Sequence, residues 1–271
     1  MTLDLDLSPS EAKLARAREH LKALERETTA GIKEEDTYAI RFSEVDPQTG
    51  WCSITVVPYK VEKPRLSIIL GDLIHNLRCA LDYVVTALAD ASQTALTTAH
   101  KFPVYPDATD YAASTGGKAA AVGEGPLVGI KYGLVLIDDW QPYHTQPDPR
   151  TDPLWGIHRF SNADKHREPA TFLPIPVGSI GPEYDETFSR IVETRGVAEL
   201  ERWTTDQEYV IGYARFEPPR VRNLRAKREV LLDVQFEAPP FRKESSLTIA
   251  LRRLPSIVEY ATKVVNSFRK L

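Results

Sequence analysis

The longest helical pattern in the chain runs from residue 66 to residue 91, and it restricts the possible folds more than any other feature. Its apolar side chains recur at the three- and four-residue spacing of an amphipathic helix. They are Leu66, Leu70, Leu73, Ile74, Leu77, Leu81, Val84, Val85 and Leu88. So wide an apolar face must pack against other elements, so the segment predicts the central helix of a helical bundle.

The segments around this helix predict an α+β protein. A helix is expected over residues 9–29, with Ser8 as N-cap and Glu11 completing a capping box. Alternating residues on both sides of the turn sequence DPQTG (46–50) predict a β-hairpin at about 37–59. Further helices are predicted at 153–166 and from Leu254 to Leu271. Between them lie β-type stretches at 171–177, 187–194, 208–216 and 229–237.

This pattern predicts a division near residue 170. Residues 1–170 would form a helical bundle with the hairpin inserted into it. Residues 171–271 would form a β-rich part with a terminal helix, packed on the bundle. Because long helices often pair across a two-fold axis, we also expect a homodimer.

Composition favours a cytoplasmic protein. Of the 271 residues 42% are hydrophobic, enough for a sizeable core, and no apolar run reaches the roughly 20 residues that span a bilayer. The N-terminus lacks the layout of a signal peptide, and the two cysteines form no CxxC. Without a glycine-rich phosphate loop, GxSxG or HExxH spacing, we expect no cofactor and no metal.

Charge is distributed unevenly along the chain. The net charge is −4, but residues 215–271 carry 13 basic against 6 acidic side chains. This basic end would either contact a polyanion or dock on the acidic remainder of the same chain. The run RVRNLRAKR (220–228) is its densest part, and it is either a solvated loop or a phosphate contact.

The long helix also carries an unusual polar face. At 100° per residue, nine polar side chains fall on one arc of about 160°. They are Asp72, His75, Asn76, Arg78, Cys79, Asp82, Tyr83, Thr86 and Asp90. Lys, Glu and Gln are absent from the arc, which favours a face directed at another element or at a ligand. Asp72 with Asn76, and Arg78 with Asp82, are neighbours one helical turn apart.

The second polar stretch is SNADKHRE, at residues 161–168. On the predicted helix 153–166, Asp164 follows the inward side, and Arg78 or His75 would supply the partner that a buried carboxylate needs. An adjoining face carries Trp155, Arg159, Asn162 and His166. Together with Lys165 and Arg167 these side chains suit either phosphate and base binding or a structural network between helices.

Four ordered motifs resemble a known family. They are GDLIHNLRCALDY (71–83), FPVYPD (102–107), QPYH (141–144) and DPLWGIHRFSNADKHR (152–167). They are similar to motifs of a family of uncharacterised bacterial, notably actinobacterial, and phage proteins. The similarity covers residues 10–170. A more distant resemblance is to HEPN domains, helical bundles that include ribonucleases of toxin and phage-defence systems.

The HEPN resemblance implies metal-independent RNA cleavage. HEPN ribonucleases carry Arg and His with four to six residues between them. After Arg78, Tyr83 occupies the position of that His, whereas Arg159 and His166 have six residues between them. The resemblance then implies His166 as the base for a ribose 2′-hydroxyl and Arg159 or Arg167 as the phosphate clamp.

Three functions therefore remain open on the sequence alone. The first is RNA cleavage, or RNA binding by an inactive relative, in phage–host conflict or RNA metabolism. The second is non-catalytic binding of a nucleotide or small anion. In the third, the polar residues are only a structural network between helices.

Overall fold

The computed structural model describes residues 3–31, 38–59, 64–115, 125–166, 171–184, 189–196, 208–219, 221, 224–238 and 247–271. The fold is α+β, as predicted. The described α-helices are α1 (Ser8–Gly31), α2 (Pro64–Ala91), α3 (Ala108–Thr115), α4 (Leu134–Asp139), α5 (Pro153–His166) and α6 (Leu254–Ser267). Short 3-10 turns precede α5 and α6, at Pro149–Thr151 and Leu251–Arg253.

Seven strands form two sheets in the described part of the chain. The strands are β1 (Tyr38–Phe42), β2 (Trp51–Pro58), β3 (Thr171–Glu183), β4 (Arg190–Gly196), β5 (Tyr209–Glu217), β6 (Arg225–Ala238) and β7 (Leu247–Ala250). One sheet has the order β1-β2-β5-β4 and the other the order β3-β6-β7. The predicted hairpin and all four predicted β-type stretches are therefore confirmed.

The chain separates into two compact units, and the division differs from the one predicted at residue 170. The first unit contains residues 1–27, 64–171 and 236–271, and the second contains residues 28–63 and 172–235. The hairpin belongs to the second unit because β2 pairs with β5, with Cys52 opposite Ala214. The terminal helix α6 belongs to the first unit because it packs against α2 and α5.

The core of the first unit surrounds α2. Leu70, Leu73, Ile74, Leu77 and Leu81 are at most 1% exposed. Their spacing puts them on one face of the helix, so the predicted apolar face is the buried one. Burying such side chains is worth about 1.5–3 kcal/mol each, which makes α2 the element that organises this unit.

Helix α1 begins with a different cap from the one predicted. Ser8 is the first helical residue, and its backbone N–H donates to Oδ1 of Asp6 at 2.9 Å. The first helical bond runs from the N–H of Glu11 to the carbonyl of Leu7. The capping carboxylate is therefore Asp6, and the hydrogen bonds from Ser8 lower its pKa.

The second unit contains the four-stranded antiparallel sheet. Cys52, Ala214 and Phe216 form a buried cluster on one of its faces. The hairpin turn is held by Asp46, whose Oδ1 accepts from the N–H groups of Gln48 and Thr49 at 2.7 and 3.2 Å. Gly50 closes the turn with φ of 75°, and a Cβ there would overlap the carbonyl oxygen of Phe216.

No helix in the described ranges combines the length and apolarity that crossing a bilayer requires.

Candidate functional site

The polar arc of α2 faces another part of the chain over only some of its residues. Asn76 and Arg78 are buried, and Cys79, Asp82 and Thr86 are half-buried. The other four members, Asp72, His75, Tyr83 and Asp90, are exposed. The arc therefore divides into a buried part with structural contacts and an exposed part on the surface of its unit.

Arg78 and Asp82 form the buried part, as their helical spacing predicts. Nη2 and Nε of Arg78 lie 2.8 and 3.3 Å from the two carboxylate oxygens of Asp82. Nη2 also donates to the carbonyl oxygen of Phe102 at 2.5 Å, and the N–H of Phe102 donates to Oδ1 of Asp82 at 2.9 Å. The pair thus binds both backbone polar groups of one residue in the extended segment 101–105.

Gln141 holds the same extended segment from the other side. Its Nε2 donates to the carbonyl oxygens of Pro103 and Ile137, both at 2.9 Å, and its Oε1 accepts from the N–H of Tyr105 at 3.1 Å. Gln141 is 1% exposed. Three of the four motifs noted in the sequence therefore meet here, in a network that fixes a loop onto the helices.

The remaining arc residues make local contacts. Nδ2 of Asn76 donates to the backbone carbonyl of Asp72 at 2.7 Å, so their interaction is not between side chains. Nε2 of His75 lies 3.4 Å from Sγ of Cys79 on the exposed surface. Tyr83, at the position of the HEPN histidine, is 38% exposed.

The prediction that Asp164 pairs with Arg78 or His75 stays a prediction. The structure describes helix α5 through His166, but the side chains of Asp164, Lys165 and His166 lie outside its description, and Arg167 is not described. Nη1 of Arg78 is buried and has no hydrogen-bond partner among the described residues.

The described side chains of α5 include a cluster of two aromatic rings and one guanidinium group. His158 stacks on Trp155 with centroids 5.5 Å apart, and Arg159 lies 5.7 Å from the centre of the Trp155 ring. Nδ2 of Asn162 is 2.9 Å from Nε2 of His158. Trp155 and Arg159 are both buried, so the predicted phosphate clamp Arg159 is packed inside its unit.

The start of α5 is fixed by Asp152, which is 3% exposed. Its Oδ1 accepts from the N–H of Leu154 at 2.8 Å as a helix cap. Its Oδ2 accepts from the hydroxyls of Thr145 at 2.7 Å and Tyr260 at 3.1 Å. Burial and the neighbouring Asp152 carboxylate raise the pKa of Tyr260. Because Asp152 caps α5 and also accepts a hydrogen bond from Tyr260 of α6, it links the two helices.

A pocket of about 160 Å³ opens beside this cap, between the start of α5, strand β7 and the start of α6. Its polar rim consists of Arg150, Thr151, Asp152, Thr248, Arg253 and Ser256. Its apolar wall includes Leu247, Ile249 and Ile257. Gly156 contributes space, since a Cβ there would stand 3.6 Å from Cδ1 of Ile249.

Two exposed guanidinium groups dominate the electrostatics of this pocket. Within the described ranges, neither Arg150 nor Arg253 forms an ion pair. The nearby Arg159 adds another positive charge. Burial lowers the pKa of its guanidinium, and the charge of Arg150 lowers it further because the two cations repel each other. This site was not predicted from the sequence, because Arg150 and Arg253 are distant in the chain and lie in no recognisable motif.

A tyrosine cluster lies next to the Gln141 network. The rings of Tyr111 and Tyr143 have centroids 5.7 Å apart, and the Tyr143 hydroxyl donates to Oδ1 of Asp138. Burial and the Asp138 carboxylate raise the pKa of Tyr111 to about 12 and also raise that of Tyr143. Both tyrosine hydroxyls are therefore protonated at physiological pH.

The fold and this pocket define an α+β protein with a small cationic cavity. A comparison with protein-family models, curated proteins and solved structures gave no match. Among the described residues, no group of three or more His, Cys, Asp or Glu side chains is placed to hold a metal ion.

Proposed function

We propose that this protein binds a small anionic ligand through a phosphate group, in the pocket lined by Arg150 and Arg253. The observation that carries this proposal is the presence of two arginines in the lining of one pocket, neither of which forms an ion pair among the described residues. Guanidinium is the side chain best suited to phosphate, because its planar fork donates two parallel hydrogen bonds.

The carboxylate in the pocket does not cancel these cations. Asp152 already accepts three hydrogen bonds, from Leu154, Thr145 and Tyr260, and these orient it as a helix cap. Two arginines and one carboxylate line the pocket, so the charged side chains of its lining are positive in sum. An incoming anion would gain attraction from both guanidiniums and relieve the repulsion between Arg150 and Arg159.

The size of the pocket limits the ligand. Sites that enclose a drug-sized molecule measure about 300–1,000 Å³, whereas this one measures about 160 Å³. The pocket accommodates a phosphate with a few further atoms, and a whole nucleotide exceeds it. Of the two anions considered from the sequence, the small anion fits better than an enclosed nucleotide.

Thermal unfolding in the presence of inorganic phosphate tests this function. A ligand that binds the folded state raises its melting temperature, and at 100 times Kd the stabilisation is about 2.7 kcal/mol. We expect such a rise for the wild type and a smaller one for Arg150→Gln and Arg253→Gln. Lys263→Gln removes the same charge from an exposed position on α6 and should leave the rise unchanged.

Two results would count against the proposal. One is the absence of any phosphate-dependent rise in the wild type, with sodium chloride at matched ionic strength as the reference. The other is an equal rise in all three variants, since that would place the bound phosphate away from Arg150 and Arg253.

A further inference from the structure

We infer that the ligand of this pocket is a phosphate monoester with a small apolar group, not free phosphate, a carboxylate or a sulfate ester. This inference rests on the proposed function and adds the chemical class of the ligand. It follows from the two different sides of the pocket.

The polar side favours a phosphoryl group over a carboxylate. Arg150 lies in the 3-10 turn before α5 and Arg253 in the 3-10 turn before α6, so the two arginines line the pocket from separate elements. Each guanidinium donates best to a pair of oxygens. A carboxylate has only two oxygens in total, whereas a phosphate monoester presents three terminal oxygens to two such groups.

The hydroxyls on the rim add little to this selection. Thr151 donates to the carbonyl of Asp148 and Ser256 to that of Arg253, both at 2.7 Å, so both protons are already committed. The hydroxyl of Thr248 has no such bond among the described residues and can donate to the ligand. Recognition therefore depends chiefly on charge, which separates a phosphate ester with about two negative charges near pH 7 from a sulfate ester with one.

The apolar residues of the lining favour an apolar group on the ester oxygen. Ile249 and Ile257 are fixed in the core of the unit, at 6% and 7% exposed, and Leu247 is half-buried at the rim. Inorganic phosphate would leave the exposed part of Leu247 in contact with water. Two or three methylene-sized groups placed against this apolar lining would tighten binding by at least tenfold.

Calorimetric titration with four probes separates the possibilities. They are inorganic phosphate, phenyl phosphate, phenyl sulfate and benzoate. We expect phenyl phosphate to bind about tenfold more tightly than inorganic phosphate, and phenyl sulfate and benzoate to bind more weakly than phenyl phosphate. Leu247→Thr places a strand-compatible, β-branched residue in β7 and shortens the apolar wall. It should reduce the affinity advantage of phenyl phosphate over inorganic phosphate.

Failure of this inference is distinguishable from failure of the proposed function. Equal affinity for phosphate and phenyl phosphate would overturn the apolar group while the phosphate site stands. Phenyl sulfate or benzoate matching phenyl phosphate would overturn the choice of a phosphate monoester. Binding of none of the four probes would overturn the inference together with the proposed function.

Discussion

Asp82 and Arg78, one helical turn apart on α2, bind the N–H and the carbonyl of the same residue, Phe102. They also bind each other through both carboxylate oxygens. The polar motif on α2 therefore holds the backbone of the FPVYPD motif. This arrangement favours a structural role for the buried part of the arc.

Replacing Asp82 with Ala should destabilise the protein. The change removes the ion-pair partner of the buried Arg78 guanidinium and leaves the N–H of Phe102 without its acceptor. Hydrogen bonds to charged groups contribute about 1.5–3 kcal/mol, so we expect a loss of that size in urea unfolding. Asp90→Ala is the matched control, because Asp90 lies exposed on the same helix. Equal losses in the two variants would show that the Phe102 contact adds nothing to stability.

Replacing Gln141 with Glu should turn the hydrogen bond that Gln141 donates to Pro103 into a repulsive contact. The side chain keeps its shape, but a carboxylate would face the carbonyl oxygens of Pro103 and Ile137 instead of donating to them. We expect a loss of about 2–3 kcal/mol at pH 7, from two broken bonds and one buried charge. The loss relative to wild type should shrink towards pH 4, where a protonated Glu can donate again. A loss that does not change with pH would contradict this role.

The tyrosine cluster predicts a loss of stability at alkaline pH. The pKa of Tyr111 is about 12 in the folded protein, against an ordinary value of 10.0. A raised folded pKa gives stabilisation that is complete below pH 10 and lost as the pH rises to about 12. Asp138→Asn removes the negative charge and should lower this pKa. The check is the difference in phenolate absorbance between each protein and its Tyr111→Phe version, and an unchanged midpoint would exclude an effect of Asp138.

RNA cleavage with His166 as the base remains a prediction. If the HEPN resemblance holds for function, the wild type should cut RNA oligomers in the presence of EDTA, and His166→Ala should lose the activity while keeping its melting temperature. His144→Ala is the control, because His144 is an exposed histidine outside the SNADKHRE stretch. Cleavage that survives in His166→Ala would remove His166 from the mechanism.

Local patterns were sufficient to predict the main elements. Helices α2 and α5 and the hairpin follow from spacing and turn residues that lie within a few positions of one another. Helices α3 and α4 and strand β7 were not predicted, because segments of four to eight residues hold too little periodicity. The grouping of β2 with β5 was also missed, since it joins Cys52 to Ala214 across more than half of the chain.

The candidate site was less predictable than the fold. The spacing of Arg78 and Asp82 predicted their contact, but nothing local showed that both would bind Phe102. The arginines of the pocket are about 100 positions apart, and only the packing of α5, β7 and α6 brings them together. The basic run at 220–228, the phosphate contact considered from the sequence, continues into strand β6, and within it the structure describes only the side chains of Val221, Leu224 and Arg225.

The most direct test of the phosphate site is calorimetric titration of inorganic phosphate into the wild type and into the double variant Arg150→Gln/Arg253→Gln. We predict saturable binding of one phosphate per chain in the wild type. The affinity should be at least tenfold weaker in the double variant, and Lys263→Gln should bind phosphate as the wild type does. Equal affinity in the wild type and the double variant, or no binding to the wild type, would contradict it.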